Sequence, residues 1–200
     1  MDDELRALTE RLRKEAAQDP GSSGPSGATR FERLRSTDDL DELAEVLTAP
    51  QQPLWARELA AFRLGCAGER RAFESLVLLL NHRDPERCAS AAQALARLGD
   101  PRTARAAAAL ATNELRVAYA LHPVRLLTAL RAPESAPALI TALKRRLSSP
   151  HDPYWRIALA CVEGLGALAD KRAVAVLDAA RTHPRLAAAA VAALARIGER

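Results

Sequence analysis

Apolar residues recur along most of this chain three and four positions apart, the spacing that places them on one face of an α-helix. The clearest stretch is QALARLGDPRTARAAAALATN, Gln93 to Asn113, in which an apolar face ends at Leu98, Gly99 stops it and a second face begins after Pro101. Glycine suits the end of a helix and proline its first turn, so LGDP spells stop and then start. The same pattern returns in degraded form in FRLGCAGERRAFESLVLLLNH from Phe62, in GLGALADKRAVAVLDAARTH from Gly164, and in AALARIGER at the C-terminus.

The segments that open each repeat lie at Pro53, Pro85, around Asn113 and Glu114, at Pro153 and at Pro184. Each opening leads into a helix, a short turn and a second helix that runs to the next opening. A helical hairpin of about 30 residues cannot bury its apolar side alone, and stacked neighbours supply the missing surface. The expected fold is all-α, a right-handed α-solenoid of hairpins with about four full units and terminal half-units.

Upstream the pattern changes. Leu5, Leu8 and Leu12 make a narrow stripe on a helix within residues 1–18, too narrow to fold without a surface to dock on. DPGSSGPSGA, Asp19 to Ala28, has neither helix nor strand preference and reads as a flexible tether over residues 19–29, followed by the solenoid over 30–200. STDDLDELAEVLTAP then carries a cap, an acidic first turn and a proline stop, which predicts a helix from Asp38 to Thr48.

Composition narrows the chemistry. Apolar residues make up 48% of the chain and aromatics only 4%, so the core has to be built from Ala, Leu and Val in close-packed helices. Cys66, Cys88 and Cys161 lie inside apolar patterns and read as reduced thiols rather than a disulfide or metal set. No apolar run reaches the ~20 residues that span a bilayer, and the charged MDDELRALTERLRKE resembles no leader, so a cytoplasmic protein without a membrane partner is expected. Residues 1–52 carry 7 Lys+Arg against 12 Asp+Glu, whereas residues 53–200 carry 22 against 13. An acidic arm precedes a basic body.

An Arg stands near the start of each first helix, at Arg57, Arg87, Arg116, Arg156 and Arg185, followed by an Ala-rich run and a turn: AGERRA, LGDPRT, RAPESA, LADKRA, IGER. In these features the chain resembles HEAT repeats of the short bacterial kind that also occur in phycobilin lyase subunits. The resemblance covers about Asp38 to Arg200 and implies the solenoid, but HEAT-like arrays serve many functions. Two departures stand out: Pro123 within the third first helix, where a kink is expected, and the long joint LKRRLSSPHD after it. The recurring Arg fits a structural ladder, capped by Asp84, Asn113, Asp152 and Thr182 and crossing to the neighbouring repeat, as well as a ligand-binding row.

The chain has no nucleotide-binding loop, nucleophile elbow, HExxH or paired CxxC motif, and no cofactor or metal is expected. His82, His151 and His183 precede repeat openings, as polar residues do where they cap helix ends. Trp55 and Trp155, each in a first turn, fit either aromatic anchors for a partner or plugs between repeats. The resemblance further implies that second helices line a concave face. On it Arg71, Arg102, Arg105, Arg145, Lys171 and Arg172 would form a basic groove for an acidic segment of another protein. The function expected is a non-catalytic adaptor. A nucleic-acid-binding protein, including one similar to the HEAT-like alkylpurine DNA glycosylases through Trp55, Tyr154, Trp155 and Asp152, is the alternative, and a chromophore lyase-like subunit a third. The Ala-rich C-terminal helix is a further candidate surface for self-association.

Overall fold

Every secondary-structure element among the described residues is helical, in line with a composition rich in Ala and Leu and poor in strand formers. The structure, a computed structural model, describes residues 3–19, 26–149 and 152–199; linker residues 20–25, His151 and the side chains of residues 3–5, that of Leu5 included, lie outside the described residues. Two compact units divide the chain, Met1–Asp100 and Pro101–Arg200. The sequence gives no sign of this division, because LGDPR at the joint has the same stop-and-start chemistry as the turns inside the repeats.

In the first unit the helices are α1 (Asp3–Gln18), α2 (Gly27–Ser36), α3 (Leu40–Thr48), α4 (Leu54–Cys66), α5 (Phe73–Leu80) and α6 (Pro85–Leu98). α4 and α6 lie side by side, α3 packs on α4, α5 on α6, and α1 rests on α2, α4 and α6. α2 begins inside the segment read as a tether: Ser26 accepts the Thr29 N–H at 3.3 Å and so caps a helix that propensity alone does not announce. Further on, Asp39 caps α3, and Asp84 with Pro85 behind it opens α6.

The second unit comprises α7 (Thr103–Ala111), α8 (Leu121–Leu130), α9 (Ser135–Leu147), α10 (Trp155–Leu168), α11 (Val174–Ala180) and α12 (Ala187–Gly198). α8, α10 and α12 pack in sequence as one layer, and α7, α9 and α11 as a second. Core positions are mostly Ala and Leu, with Leu127, Leu139, Leu143, Leu165 and Leu177 fully buried. Among the described residues no helix is long and apolar enough to cross a membrane.

Pro123 does more than kink its helix. It has no N–H to give to the Tyr119 carbonyl and its ring crowds that group, so the expected first helix is split. α8 begins only at Leu121, and Glu114–Tyr119 before it forms 3-10 turns, with Arg116 at φ −127° and ψ 24°. No side chain in this stretch is buried, and Leu115 is 93% exposed.

One backbone feature unites the repeats. The turns after α4, α6, α8 and α10 pass through the left-handed region, at Gly68 (φ 76°), Gly99 (φ 65°), Arg131 (φ 50°) and Ala169 (φ 54°), whereas α12 ends at Glu199 in the right-handed region. A side chain in this conformation costs about 1 kcal/mol, which glycine avoids. Ala169→Gly is therefore expected to raise the unfolding free energy by about 1 kcal/mol, and Gly99→Ala to lower it by a similar amount, both read from urea denaturation.

Candidate functional site

Four charged side chains meet where α1 crosses α4 and α6. Glu58, in the middle of α4, is 1% exposed, and its carboxylate accepts from both neighbouring helices. From α6, Arg87 Nη1 donates to Oε2 and Ser90 Oγ to Oε1 at 3.0 Å. From α1, Arg11 donates to both oxygens, at 3.2 Å on Oε2. Arg87 also grips Glu15 of α1 through Nη2, at 2.8 and 3.0 Å, while Arg11 Nη1 reaches Glu15 at 2.9 Å. Burial works to lower the Arg11 pKa, but hydrogen bonds and charges from Glu58 and then Glu15 outweigh it and hold the guanidinium above its ordinary value. Two cations face two anions at the centre, with Glu86 at 3.3 Å from Arg11 and Asp84 at 3.4 Å from Arg87 on the rim. The helical spacing of Arg11 and Glu15, one turn apart, was legible in the sequence; their pairing with residues more than forty positions away was not.

An open groove of about 520 Å³ runs beside this cluster between α1 and α6, lined by Lys14, Glu15, Glu86, Ser90 and Gln93 among others. Leu8, Leu12 and Ala16 of α1 are buried, so the apolar stripe does dock within the chain. Trp55 is part of that docking. It is 4% exposed, packs at 6.3 Å from the Phe31 ring and donates its Nε1–H to Asp19 at 3.0 Å. In this arrangement the side chain is a plug between helices of the first unit.

The basic residues expected in one groove are dispersed by their roles. Arg71, in the first unit, is exposed and pairs with Asp41 at 2.8 Å and Glu69 at 3.2 Å. In the second unit Arg102 and the Lys171–Arg172 pair stand at the N-terminal ends of α7 and α11, whereas Arg145 is in the last turn of α9. Arg145 donates to the Thr112 carbonyl and approaches Glu114 at 3.3 Å. Arg172 clasps Asp170, whose carboxyl this hydrogen bond holds below its ordinary range. Arg105 and Lys171 are exposed and carry no ion pair among the described residues. Helix ends carry most of this charge: the outward positions of α7 after Arg105 are Ala106, Ala108, Ala109 and Leu110, and those of α11 are Val174, Ala175, Asp178 and Ala179.

The recurring Arg behaves as a ladder at two rungs. Arg87 crosses from α6 to Glu58 on α4, and Arg185 crosses to the Trp155 ring at the start of α10, 5.0 Å from its centroid. Arg156 flanks the same ring at 5.5 Å, and Arg116 lies over the Tyr119 ring at 4.6 Å. Asp84, Asn113 and Asp152 accept backbone N–H groups as expected, but Thr182 turns back to the Ala179 carbonyl. His183 takes its place: Nδ1 accepts the Arg185 N–H at 3.3 Å, as His82 accepts the Asp84 N–H at 3.0 Å. These two histidines start the next turn instead of capping the last one. Asp152 is itself held by Arg146 at 2.9 Å.

The last helix, α12, buries Ala190, Ala193 and Ile197, with Leu186 before it, and leaves Val191 half-exposed. Together these features define an all-α protein of hairpins packed neighbour to neighbour, with a buried charge cluster in its first unit and surplus cations in its second. No family model and no curated protein matches the chain.

Removing one member of a buried ion cluster strands its partners. Glu58→Ala is expected to cost about 3 kcal/mol in chemical denaturation, while Arg71→Ala, which removes an exposed and solvent-screened pair, leaves the denaturation midpoint nearly unchanged. Thiol chemistry gives a second check. Burial, only partly offset by the Arg146 charge, pushes the Cys161 thiol up to about 12, and Cys88 is buried with Sγ donating to the His82 carbonyl. In a native thiol titration with an aromatic disulfide at neutral pH, Cys66 alone is expected to react rapidly.

Proposed function

We propose that the chain is a non-catalytic adaptor, a HEAT-type α-solenoid whose second unit binds an acidic segment of another protein. The observation that carries this reading is charge. Residues 101–200 hold 15 Lys+Arg against 7 Asp+Glu, whereas residues 1–100 hold 14 against 18. In the second unit Arg105, Arg125, Arg131, Lys144, Lys171 and Arg196 are exposed cations without an acidic partner among the described residues. Such a surplus attracts anionic segments and speeds their encounter. Neighbour-packed hairpins in two layers, with a left-handed turn at corresponding places, support the solenoid part of the reading.

One observation favours nucleic acid as a second reading: Trp155, half-buried, is flanked by Arg156 and Arg185 beside Tyr154, an aromatic and cationic set of the kind that stacks on bases.

Fluorescence anisotropy with a labelled Glu-rich peptide, and with single-stranded DNA as the competitor class, separates the two. The adaptor reading expects peptide binding that the Arg105→Glu, Lys144→Glu, Lys171→Glu triple variant weakens roughly tenfold or more, with the melting temperature nearly unchanged. Preference for DNA, with affinity falling steeply as salt rises, would replace it with the second reading. Binding to neither removes the basic surface as a site.

A further inference from the structure

α1 meets the first unit as a ligand meets a site. Its contact face is narrow, with Leu8, Leu12 and Ala16 buried in one stripe and Arg11 and Glu15 beside them. The charges of the receiving face are matched without it. If Arg11 leaves, Glu58 keeps Arg87 and Ser90, both from α6; if Glu15 leaves, Arg87 keeps Glu58 and Asp84. α1 thus adds one positive and one negative group to a pair already matched, and its departure strands no buried charge, the costliest outcome for such a cluster. The face is also wider than its occupant, since the groove of about 520 Å³ lies open between α1 and α6.

We propose that the α4–α6 face of the first unit is a helix-binding site for another protein, with α1 as its built-in occupant. The partner is an amphipathic helix carrying Leu, Arg, Leu and Glu in the order and spacing of Leu8, Arg11, Leu12 and Glu15. Its Arg bonds Glu58, its Glu bonds Arg87, and its two Leu side chains cover the apolar floor. Because α1 belongs to the same chain it has a high local concentration, so it sets the affinity that a partner has to exceed. The proposal involves first-unit residues alone and is independent of the acidic-segment reading.

Gly27 provides a way to free the site without altering it. A Cβ at this position would lie 2.0 Å from the Ala16 carbonyl oxygen and 3.0 Å from its carbon, a clash with α1 backbone that no rotamer relieves. Gly27→Val in the full chain therefore displaces α1 while leaving α4 and α6 as they are. A second release variant, Leu8→Asp with Leu12→Asp, acts on α1 alone and carries the test should Gly27→Val fail to fold. The probe is a labelled peptide of residues 1–19, titrated into full-length wild type and both variants. With Trp155→Phe in the background, Trp55 is the sole tryptophan, and its emission reports the occupied face.

The expected result is that the peptide binds the release variants roughly tenfold or more tightly than wild type, shifts Trp55 emission, and loses roughly tenfold or more of that affinity when it carries Arg11→Glu. No binding to release variants of intact helicity, equal binding to wild type and variants, or indifference to Arg11→Glu would each overturn the site. A wild-type dimer in light scattering that the peptide dissolves would place α1 of a second copy there and overturn the assignment to a different protein.

Discussion

Helices shorter than ~12–15 residues barely persist alone in water. α3, α5, α7 and α11 have between 7 and 9 residues. Each of them exists only because a neighbour covers its apolar side, and that dependence shapes everything else in the molecule. It explains the alanines, which let short helices approach closely and bury most of a narrow face. It also explains why the helices pack in sequence: a hairpin is a half-finished core, and the next hairpin finishes it.

Arginine does two jobs here that composition cannot separate. The chain holds far more Arg than Lys, and much of it is spent internally on the ends of neighbouring helices. Arg63 donates to the Leu34 and Arg35 carbonyls at 3.2 and 2.7 Å, Arg145 donates to the Thr112 carbonyl, and Arg87 holds the buried Glu58. A planar fork with five donors suits this stapling better than an ammonium does. Cations left over from such duty, Arg105 and Lys171 among them, are the ones available to a partner. A count of basic residues therefore overstates the binding surface, and the sign of the second unit matters more than its total.

The helices from Asp38 onward were legible because caps, periodicity and stop signals agree. At two places along the chain they did not. α2 hides behind a Gly/Ser/Pro run because its start depends on Ser26 and on the close approach of Gly27 to Ala16, neither of which is a propensity. The first helix of the third repeat looks regular until Pro123 is weighed against the Tyr119 carbonyl. Ala169 and Arg131 lack the glycine of the other turns, and only their place in the repeat marks RAPESA and LADKRA as turns. In the candidate site, the Leu8 and Leu12 stripe foretold docking, but the charge cluster joins positions far apart in the chain, and Glu58 sits unremarked in an apolar run. Trp55 is similar: its place in a first turn fits two roles, and only the ring of Phe31 and the Asp19 carboxylate select one.

The split ahead of α8 bears on how the second unit comes apart. Glu114–Tyr119 reaches only three residues back for its hydrogen bonds and buries no side chain, so little free energy opposes its opening. Solvent can enter there while the flanking helices stay folded. The unit thus has a built-in weak seam, and fluctuations that begin at it need not spread through the layers on either side.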